Sequence, residues 1–169
     1  MKLQPLLVAP LLLASCGIVP LPAVAIPDQT LTLPASSSAA DRVIYDGSDV
    51  FGGSTVPGVL SNLKLRGQAL YSGAGDLSSV AVYIRSSVPS CTSVPGLTVQ
   101  MCDPSTESAQ RIGTLNFEKG VATSFSLSGK ALDAAAKAGH GYVGVQVLKG
   151  QSVFGDTLKL SNLKANAKF

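Results

Sequence analysis

The 169-residue chain carries 13 basic and 10 acidic groups, too small an excess for the basic surface of a nucleic-acid-binding domain. Charged residues make up only 14% of it and Trp is absent, while Gly, Ser, Thr, Val and Leu are abundant. That balance suits an all-β secreted domain better than a helical bundle.

The chain opens with Met1-Lys2, a mostly apolar run from Leu3 to Leu13, and then Ala14-Ser15-Cys16. One cation, a short apolar core and a small-residue region predict a secretory leader over residues 1–15. Leu13-Ala14-Ser15-Cys16 resembles the lipobox of bacterial lipoproteins: aliphatic, small, small, cysteine. The resemblance implies transfer of diacylglycerol to the Cys16 sulfur, cleavage before Cys16 and a further acyl chain, such as palmitate, on the new N-terminus. Gly17, where an aspartate would signal retention, implies sorting to the outer membrane in a cell that has one. Lys2 leaves with the leader, so 154 residues remain, with 12 basic and 10 acidic groups. No second apolar run is long enough to span a bilayer, so the lipid is expected to be the only anchor.

Residues 16–27 hold Pro20, Pro22 and Pro27 and are read as a tether. In a polyproline-like conformation it would reach roughly 30 Å. The alternative is an apolar segment packed along the domain. The domain proper is expected over residues 28–169.

Asp28–Pro34 alternates polar and apolar residues and reads as an edge strand; Arg42–Tyr45 is a second, leading into the turn-rich stretch 46–58. From Asn62 the period of two is regular. Leu63, Leu65, Gly67, Ala69 and Tyr71 share one face, Val80, Val82 and Ile84 another, and Leu97, Val99 and Met101 a third. Arg111–Phe117 and Val121–Leu127 flank Glu118-Lys119-Gly120 and read as a hairpin. Lys130–Ala138 reads as the one helix, capped by Ser128, closed by Gly139 and carrying an Asp133–Lys137 pair. Gly141–Lys149 and Thr157–Phe169 are the last strands. In the final one the alternation changes parity at Ser161-Asn162, which predicts a β-bulge. Leu60-Ser61-Asn62-Leu63-Lys64 recurs as Leu160-Ser161-Asn162-Leu163-Lys164 and reads as coincidence or shared local geometry. About nine short strands and one helix predict an antiparallel β-sandwich, with a β-barrel as the alternative. The layout is loosely similar to secreted immunoglobulin-like and jelly-roll domains, without a diagnostic motif.

With Cys16 assigned to lipid, Cys91 and Cys102 form an even pair in a chain bound for an oxidising compartment, and a disulfide is expected. Catalytic constellations are not found. His140 is the only histidine, in a Gly-His-Gly turn, and no serine stands in a GxSxG elbow. The two glutamates, Glu107 and Glu118, read as solvated turn acids. Asp46 and Asp49 are candidate calcium ligands, though Asx turns explain them more simply. Tyr83 is the candidate sugar-binding aromatic. Lys149, Lys159, Lys164 and Lys168 suggest a basic face, but the parity shift prevents placing them together, and protection of an edge strand is the simpler reading. The expected function is that of a non-enzymatic lipoprotein of the bacterial cell envelope. It would have no cofactor, and would display a sandwich that binds or supports an envelope protein; the alternative is a small-ligand or glycan-binding module.

Overall fold

The computed structural model describes residues 23–39, 41–55, 61–93 and 99–168. In chain order its strands are β1 (Val24–Ala25), β2 (Gln29–Thr32), β3 (Val43–Asp49), β4 (Ser61–Ser72), β5 (Ser79–Arg85), β6 (Thr92–Ser93), β7 (Val99–Cys102), β8 (Arg111–Asn116), β9 (Thr123–Ser128), β10 (Tyr142–Lys149) and β11 (Thr157–Lys168). Between them lie α1 (Ser36–Ala39), α2 (Pro104–Glu107) with a 3-10 turn at Ser108–Gln110, and α3 (Lys130–Ala138).

The strands form two antiparallel sheets, the expected sandwich rather than a closed barrel. Sheet A runs β1-β11-β4-β9, with β2 on the same edge of β11 as β1; sheet B runs β6-β7-β3-β10-β5-β8. The alternating residues read from the sequence make the core. Leu63, Leu65, Ala69 and Tyr71 of β4 join Leu158, Leu160 and Leu163 of β11, facing Val80, Val82 and Ile84 of β5 and Val143 and Val145 of β10. Each large aliphatic buried this way contributes about 1.5–3 kcal/mol.

The bulge lies where the alternation breaks. Pairing of β11 with β4 shifts between Ser161 and Lys164, and Asn162 sits at φ +54°. The extra residue lets Leu160 and Leu163, three apart, both point inward. Asn62 adopts the same φ, +54°, and both asparagines offer their backbone N–H to an aspartate, Asn62 to Asp133 at 3.2 Å and Asn162 to Asp28 at 3.0 Å. The repeated Ser-Asn-Leu-Lys is thus shared local geometry. Asparagine suits it because its short polar side chain tolerates the left-handed region.

Other expectations need correction. Glu118-Lys119-Gly120 is not a hairpin turn. β8 belongs to sheet B and β9 to sheet A, so the link carries the chain between sheets, with Phe117 N–H on Ser78 O and Gly120 N–H on Tyr71 O. α3 crosses in the other direction, burying Ala131, Leu132, Ala135 and Ala136. Its N-cap is Gly129 rather than Ser128, while Gly139 closes it at φ +76° as expected. Among the described residues Asp133 forms no ion pair with Lys137, and accepts from the backbone N–H groups of Asn62 and Leu63 (3.2 and 2.8 Å). Two such bonds outweigh an exposed pair worth a few tenths of a kcal/mol. Residues 24–26, expected to belong to a tether, are part of the fold. Val24 and Ala25 pair with Ala165 and Lys164 of β11, and Ile26 packs against the core. β11 is no edge strand, because β1 and β2 flank it on one side and β4 on the other.

Candidate functional site

The outer face of sheet B carries a buried cluster of aromatic and ionisable groups. β3, β10 and β5 lie side by side, and the register places Tyr45, Gly144 and Tyr83 in one row. A side chain at Gly144 would meet the Tyr45 ring at 2.6 Å, so glycine there lets the ring lie across the strand. Val43, Tyr45, Ala81, Tyr83 and Cys102 form a second buried cluster on this face, with Cys91 and Tyr142 packed against it.

The cover is a clasp built from residues 91–93 and 99–110. Cys91 and Cys102 form the expected disulfide, Cα–Cα 5.2 Å, joining the segment before β6 to the end of β7. Asp103 then caps α2, accepting from Ser105 N–H at 2.9 Å, with Pro104 in the first turn. That turn aims Glu107 back at the sheet, where its side chain is 0% exposed. Arg85 meets it with two charged hydrogen bonds, Nε to Oε2 at 2.8 Å and a terminal guanidinium nitrogen to Oε1 at 2.7 Å. The Tyr45 hydroxyl donates to Oε2 at 2.6 Å.

Burial alone would raise the Glu107 carboxyl, but the Arg85 hydrogen bonds, the Tyr45 hydroxyl and the guanidinium charge overcome it and hold Glu107 below the usual carboxylate range. Burial, then the bond to Glu107 and its negative charge, push Tyr45 far above the usual tyrosine range, so its hydroxyl stays protonated. The Glu107 hydrogen bond likewise raises Arg85. A carboxylate whose oxygens are both occupied by tight donors is a structural acceptor, not a general base. Among the described residues Cys91, Cys102 and Glu107 form a group with metal-ligand spacing, but its sulfurs are bonded to each other and its carboxylate to Arg85.

The sequence-predicted positions fall as follows. Cys16 lies outside the described residues, with the whole leader. Tyr83 is buried at 3% exposure, its hydroxyl donating to Gln146 at 2.7 Å, so it offers no stacking platform. Asp46 accepts from Ser48 N–H at 3.3 Å, the Asx-turn alternative. Asp49 accepts from Phe51 N–H at 3.0 Å and Gly141 N–H at 2.8 Å, and its other oxygen lies 2.7 Å from His140 Nδ1. Against the effect of burial, the His140 bond and these N–H groups lower Asp49 to about 2. Both carboxylates are thus engaged by neighbouring donors. Asp156, not singled out by sequence, is a second organising acid: buried, it accepts from the Tyr71 hydroxyl, Val153 N–H (2.7 Å), Ala74 N–H (2.8 Å) and Gly75 N–H (3.1 Å). Among described residues, every buried side-chain nitrogen and oxygen has a partner.

Two surface features stay uncommitted. An open cleft of about 540 Å³ lies where β8 crosses to β9, lined by Ser78, Asn116, Phe117, Glu118, Val121 and Lys149. Phe154, 65% exposed, projects from the loop before β11. No helix among the described residues is long and apolar enough to cross a membrane. No family model, curated protein or solved structure matches the chain.

Proposed function

We propose that the protein is a lipid-anchored lipoprotein of the bacterial cell envelope that displays a rigid, non-enzymatic β-sandwich to an envelope partner. The observation that carries this reading is Leu13-Ala14-Ser15-Cys16 at the end of a short apolar leader. The disulfide supports it, because such a bond persists in compartments outside the cytosol. So does the placement of β1: seven residues, 17–23, separate Cys16 from the first strand, so an anchor at Cys16 would hold the domain within about 25 Å of its lipid. The non-enzymatic part rests on the commitment of Glu107, Asp49 and Asp156 to internal hydrogen bonds.

The test is metabolic acyl labelling and membrane fractionation of wild type and Cys16→Ser. Wild type should take up label and sediment with membranes, and Cys16→Ser should do neither. A Cys16→Ser protein that remained acylated and membrane-bound would end the reading. The ligand-binding alternative would use the open cleft at Asn116 and Lys149. A glycan bound there would lose affinity in Asn116→Ala and keep it in Tyr83→Phe.

A further inference from the structure

We infer that the outer face of sheet A is a cationic platform that lies on anionic phospholipid headgroups of the bilayer holding the anchor; this rests on the lipoprotein reading for the presence of that bilayer. The register assembles the face. Lys164 stands directly opposite Arg66, and Lys64 opposite Asn166. Cross-strand partners project from the same side of a sheet, and Leu63, Leu65 and Leu163 point inward, so these cations point outward. The bulge adds Lys159. In a regular strand, residues 159 and 164 would lie on opposite faces; the extra residue at Asn162 returns both to the outside.

The charges on this face are not balanced. Lys164 and Arg66 form a like-charged cross-strand pair, an arrangement that destabilises a sheet unless an anion lies nearby. Among the described residues the one acid paired with this face is Asp28, 3.9 Å from Lys159 and itself half exposed. Asp133, Asp156 and Glu107 are spent on backbone and core hydrogen bonds. On β9, the neighbours are exposed Ser124, Ser126 and Ser128, short side chains that leave the cations standing above a flat surface. Lys64, Arg66, Lys159 and Lys164 are all exposed.

The position of the tether selects the occupant. Ala25 pairs with Lys164 itself, so the chain enters the fold beside the centre of the cationic face. A bilayer anchored through Cys16 is therefore the anionic surface held nearest to it. Each Lys or Arg brought to an anionic membrane surface favours contact by roughly fivefold, an attraction that fades beyond a Debye length.

The test places the purified, naturally processed protein in vesicles of phosphatidylcholine alone or mixed with phosphatidylglycerol, and measures the rate of amine acetylation at each lysine by mass spectrometry. The expected result is about fivefold slower modification of Lys64 and Lys164 in the phosphatidylglycerol vesicles, restored by high salt, with Lys119 and Lys149 unaffected. A Lys64→Glu/Lys164→Glu protein should lose the residual protection of Lys159, and Lys119→Glu/Lys149→Glu, the same change of charge placed elsewhere, should keep it. Equal rates in both vesicles, or equal protection in both, would overturn the proposal. So would protection that arises only when a purified anionic envelope polymer is added. Flotation with phosphatidylcholine vesicles reports the anchor separately. If the protein fails to float there, the lipoprotein reading falls, and the face is judged by flotation with phosphatidylglycerol vesicles: salt-sensitive flotation lost in Lys64→Glu/Lys164→Glu supports it, and none refutes it.

Discussion

Replacing Arg85 with Met should be among the most damaging single changes in the domain. The Glu107 side chain is 0% exposed and that of Arg85 28%. Arg85→Met removes two charged hydrogen bonds, at 2.8 and 2.7 Å, and strands a buried carboxylate beside Tyr45. Breaking a buried pair from one side costs about 3–5 kcal/mol. Glu107→Gln strands the other partner, but Arg85 already reaches water, so the expected loss is nearer 2 kcal/mol. The double variant should lose less than the sum, because neither charge is then left alone. Linkage supplies an independent check. In wild type Glu107 is held below the usual carboxylate range and stays ionised in the folded state. Without Arg85, burial dominates and its folded value rises above the unfolded one, about 4.3. The variant then takes up a proton on folding, so its deficit relative to wild type should shrink as pH falls from 7 towards about 4. Urea unfolding of the oxidised proteins at several pH values, with m checked for constancy, measures both quantities. A deficit under about 1 kcal/mol, or one that does not change with pH, would refute the view that Arg85 neutralises a fully buried charge.

Asp156 is held at about 2 by the Tyr71 hydroxyl and three backbone N–H groups against the effect of burial. Its share of stability, about 2 kcal/mol, is complete above its unfolded value near 4 and lost as pH falls through 2. Asp156→Asn should remove that part of the acid slope and, by turning an amide NH2 towards donors, cost about 3 kcal/mol at neutral pH. Cys91→Ser/Cys102→Ser opens a link of sequence separation 11 and should lose about 3 kcal/mol by loop entropy, seen as a lower urea midpoint; an unchanged midpoint would contradict it. At φ +54°, Asn162→Gly should stay within about 0.5 kcal/mol of wild type while Asn162→Val loses about 2, and equal losses in thermal unfolding would argue against the bulge.

Much of the fold was legible because a single rule, alternation, governs sheets with one dry face. It located β4, β9 and β11, and its failure at Ser161-Asn162 located the bulge. Alternation is silent about which strands pair. Glu118-Lys119-Gly120 has the composition of a hairpin turn, and only the packing of Phe117 and Gly120 against different sheets makes it a crossover. The clasp was missed for a related reason. Taking Val80, Val82 and Ile84 as one face leaves Ala81 and Tyr83 on a wet one, yet Val80–Ile84 is a continuous apolar run, the pattern of a strand covered on both faces. Asp103-Pro104 followed by Glu107 carries a helix-start pattern that would have lifted Glu107 out of the class of solvated turn acids. That Arg85 would be its partner is a long-range fact that no local pattern holds.

The place of β11 has a consequence for the order in which this chain acquires structure. Among the described strands β1 and β2 pair with β11 alone, and β11 is the last of them in chain order. A chain emerging from its N-terminus therefore has no partner for those strands until residues 157–168 arrive. The core of sheet A is closed from the C-terminal end, and contacts of such long sequence separation form slowly. Throughout that interval Val24–Ala25 and Gln29–Thr32 have no strand to pair with, and the arrival of β11 ends it.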